Sequence, residues 1–219
     1  MAINGVVNRR GGKVFYDFEF QNTGAGELSG IAIQFNKNFL GLTNAAPLQL
    51  GPIAPGGSAT AALPMVHNAD KVAAAAAGAS LLLLQVAVKH AGGVFYYKDL
   101  VSLEVVLNER AGIASSEYPQ RWQAIAPANQ AVAPLTGFPL TVAHVESKLS
   151  AANVKVLHKK KLASGGDALY CSCSTDAGQL LLCEIQILPT AARCAVRSDT
   201  PGVSALLPPA LQSVLMSPS

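Results

Sequence analysis

The stretch IAIQFNKNFLGL, residues 31–42, decides how the chain is read. Ile31, Ile33 and Phe35 alternate with Ala32 and Gln34, the period-2 pattern of a strand with one buried face. The alternation then runs into Asn36, Lys37 and Asn38 before apolar residues resume, and this polar triplet needs a reason. Working outward, the same period appears at Val14, Tyr16, Phe18 and Phe20, again in LLLQVAVK at 82–89 and in VSLEVVL at 101–107. Turn signals separate these runs: RRGGK at 9–13, NTGAGE at 22–27 and APGGS at 54–58. Short strands spaced by Gly, Pro and Asn, with no convincing helix, predict an antiparallel sandwich ending near Asn108.

Composition sets the outer limits. The 219 residues can form one large domain or two small ones, and half are hydrophobic with 13% charged, which excludes a disordered chain. A net charge of +3 gives no argument for a nucleic-acid partner. The opening MAINGVVNRRGGK reaches Arg9 and Arg10 before any apolar run, so no secretory signal is read and the expected compartment is the cytosol. The most membrane-like segment, VAAAAAGASLLLL at 72–84, is alanine-rich and short of the roughly 20 apolar residues of a spanning helix, so direct membrane insertion is not expected.

The texture changes after Asn108. NERAGIASSEYPQRWQAIA at 108–126 is polar and then helix-permissive, with Ser115 or Ser116 as the candidate N-cap and Trp122 on the helix. We place a boundary there, with a sandwich subdomain at 1–110 and a second subdomain at 111–219. The second part has strand candidates at 141–145, 154–157, 168–173 and 179–188, and helical spacing at 203–216, an α+β pattern. KVLHKKK at 155–161 is the one basic cluster; it reads mainly as a solvated loop between strands, with acidic lipid headgroups as the other possible partner. Cys171, Cys173, Cys183 and Cys194 lack the usual pairing of zinc ligands, since C-x-C in an alternating segment puts two neighbours on one strand face. They are expected to be small buried hydrophobes, with no metal and no cofactor.

Several landmarks occur together in order: IAIQFNKNFLGL, PLQL at 47–50, LQVAVK at 84–89, VFYY at 94–97, RWQAI at 121–125, SKL at 147–149 and GGDALY at 165–170. Their order and spacing resemble the appendage, or ear, domain of the large β subunits of clathrin adaptor complexes, over nearly the whole chain. The resemblance implies an immunoglobulin-like β-sandwich followed by an α/β platform with an antiparallel sheet and flanking helices. It also answers the opening question: the Asn36, Lys37, Asn38 triplet lies where a strand leaves the sandwich, its side chains capping backbone groups.

The resemblance further implies a non-enzymatic module that binds short motifs of endocytic accessory proteins and clathrin heavy chain. The other adaptor subunits would join through a trunk absent from these residues, and the expected location is cytoplasmic, peripheral at clathrin-coated membranes. Trp122 and Tyr170 match the platform pocket, where they should stand side by side and offer aromatic faces to a peptide anchor. Residue type alone favours a core tryptophan; the resemblance favours the pocket. Glu184 matches an acidic pocket edge, with a solvated strand residue as the alternative. Gln123 and Gln186 stand where the family has Lys and Arg, so peptides acidic upstream of their anchors are expected to bind more weakly or be selected differently. Gln130 falls loosely where a second acidic residue belongs. On the sandwich, Tyr96 matches the tyrosine of a second peptide site, with Lys89 as a nearby source of charge.

Two other classes compete. A structural sandwich without a peptide site would bury Trp122 and Tyr170. An enzyme would need a Cys/His site, yet His67, His90, His144 and His158 are scattered and no hydrolase, zincin or phosphate-loop motif occurs. Pro208 and Pro209 interrupt the terminal helical pattern, which is expected to restart at one of them.

Overall fold

Aromatic residues at every second position of KVFYDFEFQ build the centre of the first sheet. The computed structural model describes residues 1–73, 82–109, 112–200 and 202–217, and these divide into two compact units, Met1–Val105 and Val106–Ser219. In the first unit, β1 (Ala2–Arg10), β2 (Lys13–Gln21), β4 (Leu42–Asn44) and β5 (Ser58–His67) form one sheet in the order β1-β2-β5-β4. β3 (Ala32–Phe35), β6 (Leu83–His90) and β7 (Gly93–Leu100) form the other, in the order β3-β6-β7. Tyr16, Phe18, Phe20, Leu63 and Met65 face Ile33, Phe35, Leu84, Val86 and Val88 across the sandwich, all buried.

One polar bridge crosses this apolar core. The fully buried Tyr16 on β2 donates its hydroxyl to Asp99 Oδ2 on β7 at 2.5 Å, and the Tyr97 hydroxyl lies 3.2 Å away. Burial, then these two partners, push the Tyr16 phenol far above its ordinary range, so it stays a donor. Asn38 meets its predicted role: Nδ2 donates to the carbonyls of Asn36 (3.1 Å) and Leu42 (2.8 Å), and Oδ1 accepts from Leu42 N at 3.0 Å. Lys37 is exposed beside it.

The second unit is a five-stranded antiparallel sheet, ordered β8-β12-β11-β10-β9. Its strands are β8 (Gln130–Leu135), β9 (Lys155–Lys161), β10 (Asp167–Ser174), β11 (Leu180–Ile187) and β12 (Ala192–Arg197). Among the described residues four α-helices accompany the strands: α1 (Leu103–Val106), α2 (Tyr118–Ala124), α3 (Val142–Ala151) and α4 (Leu207–Met216). α3 packs on α4 and β9, and α4 packs on β8 and β12. The terminal helix starts at Leu207 with Pro208 and Pro209 in its first turn, where a missing N–H costs nothing.

Four local expectations are corrected. Residues 103–106 are helical rather than strand, because burial of the consecutive Val105, Val106 and Leu107 breaks the alternation, and Leu103, Val106 and Leu107 fit one helical face. The 141–145 segment opens α3 instead of forming a strand: Thr141 Oγ1 caps the helix by accepting from His144 N at 3.3 Å, and Val145 and Leu149, four apart, are buried. Neither Ser115 nor Ser116 caps α2; both lie in a 3-10 turn, and Glu117 Oε2 accepts from Ala114 N at 3.0 Å. KVLHKKK is an edge strand, not a loop. Much of the membrane-like stretch, 74–81, lies outside the described residues, and among those described no helix is long and apolar enough to cross a membrane.

Tyr16→Phe removes the hydroxyl that donates to Oδ2 of the half-buried Asp99, whose Oδ1 accepts from Leu100 N at 2.9 Å. We expect a loss of about 1–3 kcal/mol, the range of a hydrogen bond to a charged group and its loss, read as a lower urea midpoint. A midpoint equal to wild type would show that water replaces the hydroxyl.

Candidate functional site

The platform sheet has two different faces because side chains alternate along each strand. One face carries Cys171, Cys173, Leu181, Cys183, Ile185, Cys194 and Val196, all buried. The other carries Tyr170, Glu184 and Leu182, with His158 and Lys160 from β9 and Arg197 from β12 in register. A glycine turn sets this register. Gly166, at φ +93°, precedes β10 so closely against β11 that an added Cβ would lie 2.2 Å from the Ile187 carbonyl oxygen. A bulge at Tyr170/Cys171 then pairs Tyr170 with His158 and Cys171 with Val156.

α2 lies over this second face, and Tyr118 ties it down. The buried Tyr118 hydroxyl donates to the Cys183 carbonyl at 3.1 Å, and its ring stacks on Trp122 at 5.6 Å and meets Tyr170 edge-on at 5.4 Å. Burial drives the Tyr118 phenol far above its ordinary range. The Arg197 guanidinium lies 4.6 Å from the Trp122 ring centre, and its Nη1 donates to the Trp122 carbonyl at 2.8 Å. Trp122 and Tyr170 are therefore half-buried, one side packed on the small core of Tyr118, Ile125 and Leu182.

Their other side lines an open groove of about 520 Å³ with Tyr118, Pro119, Gln123, His158, Lys160 and Glu184. His158 stacks on Tyr170 at 6.1 Å. The Tyr170 phenol is raised by burial and, secondarily, by Glu184. The structure thus brings together Trp122, Tyr170, Glu184 and Gln123 of the residues expected from sequence. Gln186 stands behind them: its Nε2 donates to Glu184 Oε1 at 2.5 Å, while its Oε1 accepts from Arg193 Nε at 2.9 Å. Gln130 accepts from Arg197 Nε at 2.8 Å and does not line the groove. Sequence reasoning missed Tyr118, His158 and Lys160. The alternation of KVLHKKK could have placed the last two on one face with Tyr170, had the run been read as a strand.

In the first unit Tyr96 projects from β7, an edge strand, and is 68% exposed. It pairs with Ala87, and Lys89 pairs with Val94, so Lys89 lies one diagonal step away on the same face. Val94 and Leu100 are also exposed there. Tyr96 and the groove lie on different units.

Residues 108–215 match the family described as Beta2-adaptin appendage, C-terminal sub-domain. The chain is also similar to AP-1 complex subunit beta-1 of Mus musculus, 31% identical over 190 residues, which are 86% of this chain and 20% of that protein. For AP-1 complex subunit beta-1 of Homo sapiens the identity is 30% over 195 residues, 89% of this chain and 20% of that protein. The chain thus spans about a fifth of the length of these relatives. It belongs to the β-adaptin appendage, or ear, family.

The four cysteines, His67 and His144 have structural settings. All four cysteines are free and buried, Cys171 directly opposite Cys183. Among the described residues no group of three or more His, Cys, Asp or Glu is placed to hold a metal ion. His67 and His144 donate to the carbonyls of Leu40 and Leu215 at 2.9 and 3.0 Å. Burial pushes the Cys173 thiol up to about 12 and that of Cys194 to about 11, with Cys171 and Cys183 also raised. Because the thiolate is the nucleophile, iodoacetamide at about pH 8, near the ordinary thiol range, should leave the folded protein unlabelled and alkylate all four cysteines after unfolding in guanidinium. Rapid labelling of the native protein, seen by mass spectrometry, would contradict these settings.

Proposed function

We propose that this chain is a non-enzymatic interaction module of a clathrin-adaptor β subunit that captures short peptide motifs of accessory proteins and clathrin at coated membranes. The observation that carries the reading is the groove beneath α2. Trp122 and Tyr170 are half-buried around an open space instead of being sealed in the core. Large aromatic surface with a few fixed polar groups suits an apolar or aromatic anchor of a peptide that orders on binding. The family resemblance supports the same reading, as do the AP-1 relatives. Tyr96, exposed on the sandwich edge strand, supports a second, separate peptide surface.

Peptides bearing one aromatic anchor should bind the platform groove with a dissociation constant on the order of micromolar, about 8 kcal/mol. Trp122→Ala is expected to cost roughly 2 kcal/mol or more of that binding. Its stability loss should be smaller than the roughly 3 to 5 kcal/mol of an emptied core site, because the ring is only half-buried. Titration calorimetry with accessory-factor and clathrin peptides decides it: unfolding of Trp122→Ala, together with no wild-type binding at millimolar peptide, would return Trp122 to the core. Tyr96→Ala should weaken a different set of peptides and leave groove ligands unchanged. Equal loss of every ligand in both variants would argue for one shared site.

A further inference from the structure

A strand at the edge of a sheet presents one row of backbone N–H and C=O groups, and each such group needs a partner or a cover. β3 is the last strand of its sheet, at the opposite edge from β7 and Tyr96. One hydrogen bond fixes which of its groups are in that row: Asn36 N donates to the Gln85 carbonyl at 3.1 Å, so Asn36, Gln34 and Ala32 turn their backbone groups toward β6. Ile33 and Phe35, the alternate residues, turn theirs to the free side. Along that side runs an open groove of about 690 Å³, with Thr43, Asn44, Pro47 and Leu48 also lining it. β4 is closed off at its first residue, because the Asn38 side chain bonds both the N–H and the carbonyl of Leu42. Among the described residues no side chain does this for Ile33 or Phe35, and β3 carries no proline, lysine or bulge to deter a pairing strand.

We infer that the free edge of β3 takes an extended, acidic segment of a partner protein as an added strand. Charge decides the occupant. The groove is lined by two lysines, Lys37 and Lys71, and by no acid. Both stand at one end, since Asn38 N bonds the Lys71 carbonyl at 3.0 Å, and neither has a carboxylate partner among the described residues. A second copy pairing through its own β3, AIQF, would bring them no acid. Added antiparallel, the commoner arrangement, the segment has its N-terminal end at the lysines. Its residues opposite Ile33 and Phe35 exchange backbone bonds with them and point inward, on the face of those two buried side chains. The residue between them lies opposite Gln34 and points to solvent. The fitting chemistry is therefore one or two acids followed by an apolar, polar, apolar alternation, with main-chain bonds supplying affinity. This surface is distinct from the Tyr96 face and the platform groove and rests on neither reading.

The test uses the whole chain and two capped peptides, Glu-Glu-Val-Thr-Val-Thr and Gln-Gln-Val-Thr-Val-Thr, titrated by calorimetry up to millimolar peptide. The Glu peptide should bind about two- to fivefold more tightly, the range of an exposed ion pair, and added salt should shrink the difference. Lys37→Glu should reverse the preference, and Lys13→Glu, outside the groove, should leave it in place. N-methylation of the first valine, whose N–H faces the Phe35 carbonyl, should weaken binding roughly tenfold or more; N-methylation of the threonine after it, whose N–H faces away, should cost less. Binding should also slow amide exchange at Ile33 and Phe35, read by NMR, while Gln34, already paired with β6, changes little. If neither peptide binds, if the valine N-methyl peptide binds like its parent, or if exchange at Ile33 and Phe35 is unchanged on binding, the inference fails. Protection of those two amides in the free protein that falls on dilution would make a second copy the occupant and would likewise overturn it.

Discussion

Tyr118 is the contact on which the platform site depends. α2 has only seven residues, too few to be stable alone, so its position must come from tertiary contacts. Tyr118 supplies two kinds at once. Its hydroxyl satisfies the Cys183 carbonyl, and its ring sits between Trp122 and Tyr170, which come from different elements. Arg197 holds the other end of the helix through the Trp122 carbonyl and the indole face. The groove is thus the space left where a short helix, pinned at both ends, does not fully cover the sheet.

The same logic of one polar contact organising apolar surroundings appears in the sandwich unit. Hydrophobic burial is non-directional and would tolerate many slightly different packings of the two sheets. The Tyr16 hydroxyl on the half-buried Asp99 adds direction, because the fully buried hydroxyl must find its acceptor at a specific place. Gly5 answers to the same residue: a Cβ there would lie 2.6 Å from the Tyr16 ring, so β1 passes over the tyrosine only with no side chain at that point. A hydroxyl pairing and a ring clearance together restrict how β1, β2 and β7 meet.

Local pattern misled the reading where burial on both sides hid the period. VSLEVVL and TVAHV are rich in β-branched residues, which favour strands as isolated segments. They became helical because a helix buries Leu103 with Val106, and Val145 with Leu149, through spacings that a strand cannot match. Strands β1, β5, β8 and β12 went unread for the opposite reason. β5, SATAALPMVH, is built largely from small residues and contains a proline, so its place comes from pairing with β2 more than from its own propensity. KVLHKKK was too charged to look like a strand, yet lysines suit an edge strand, where charge discourages pairing with another chain.

By itself the sequence determined the class: period-2 runs separated by turn residues for the first half, a composition change near Asn108, buried-type cysteines, and landmarks from IAIQFNKNFLGL to GGDALY that marked the family and singled out Trp122, Tyr170 and Glu184. These signals are local or positional, and they survive in one dimension. Only the tertiary structure decided that Trp122 and Tyr170 are half-buried around a groove, that Tyr118 stands between them, and that Gln186 braces Glu184 from outside the lining. It also decided which of three adjacent lysines lines the groove. Those outcomes depend on strand register and on the bulge at Tyr170/Cys171, where a one-residue shift exchanges the two faces of a strand. A register is a relation between distant segments, and no single segment contains it.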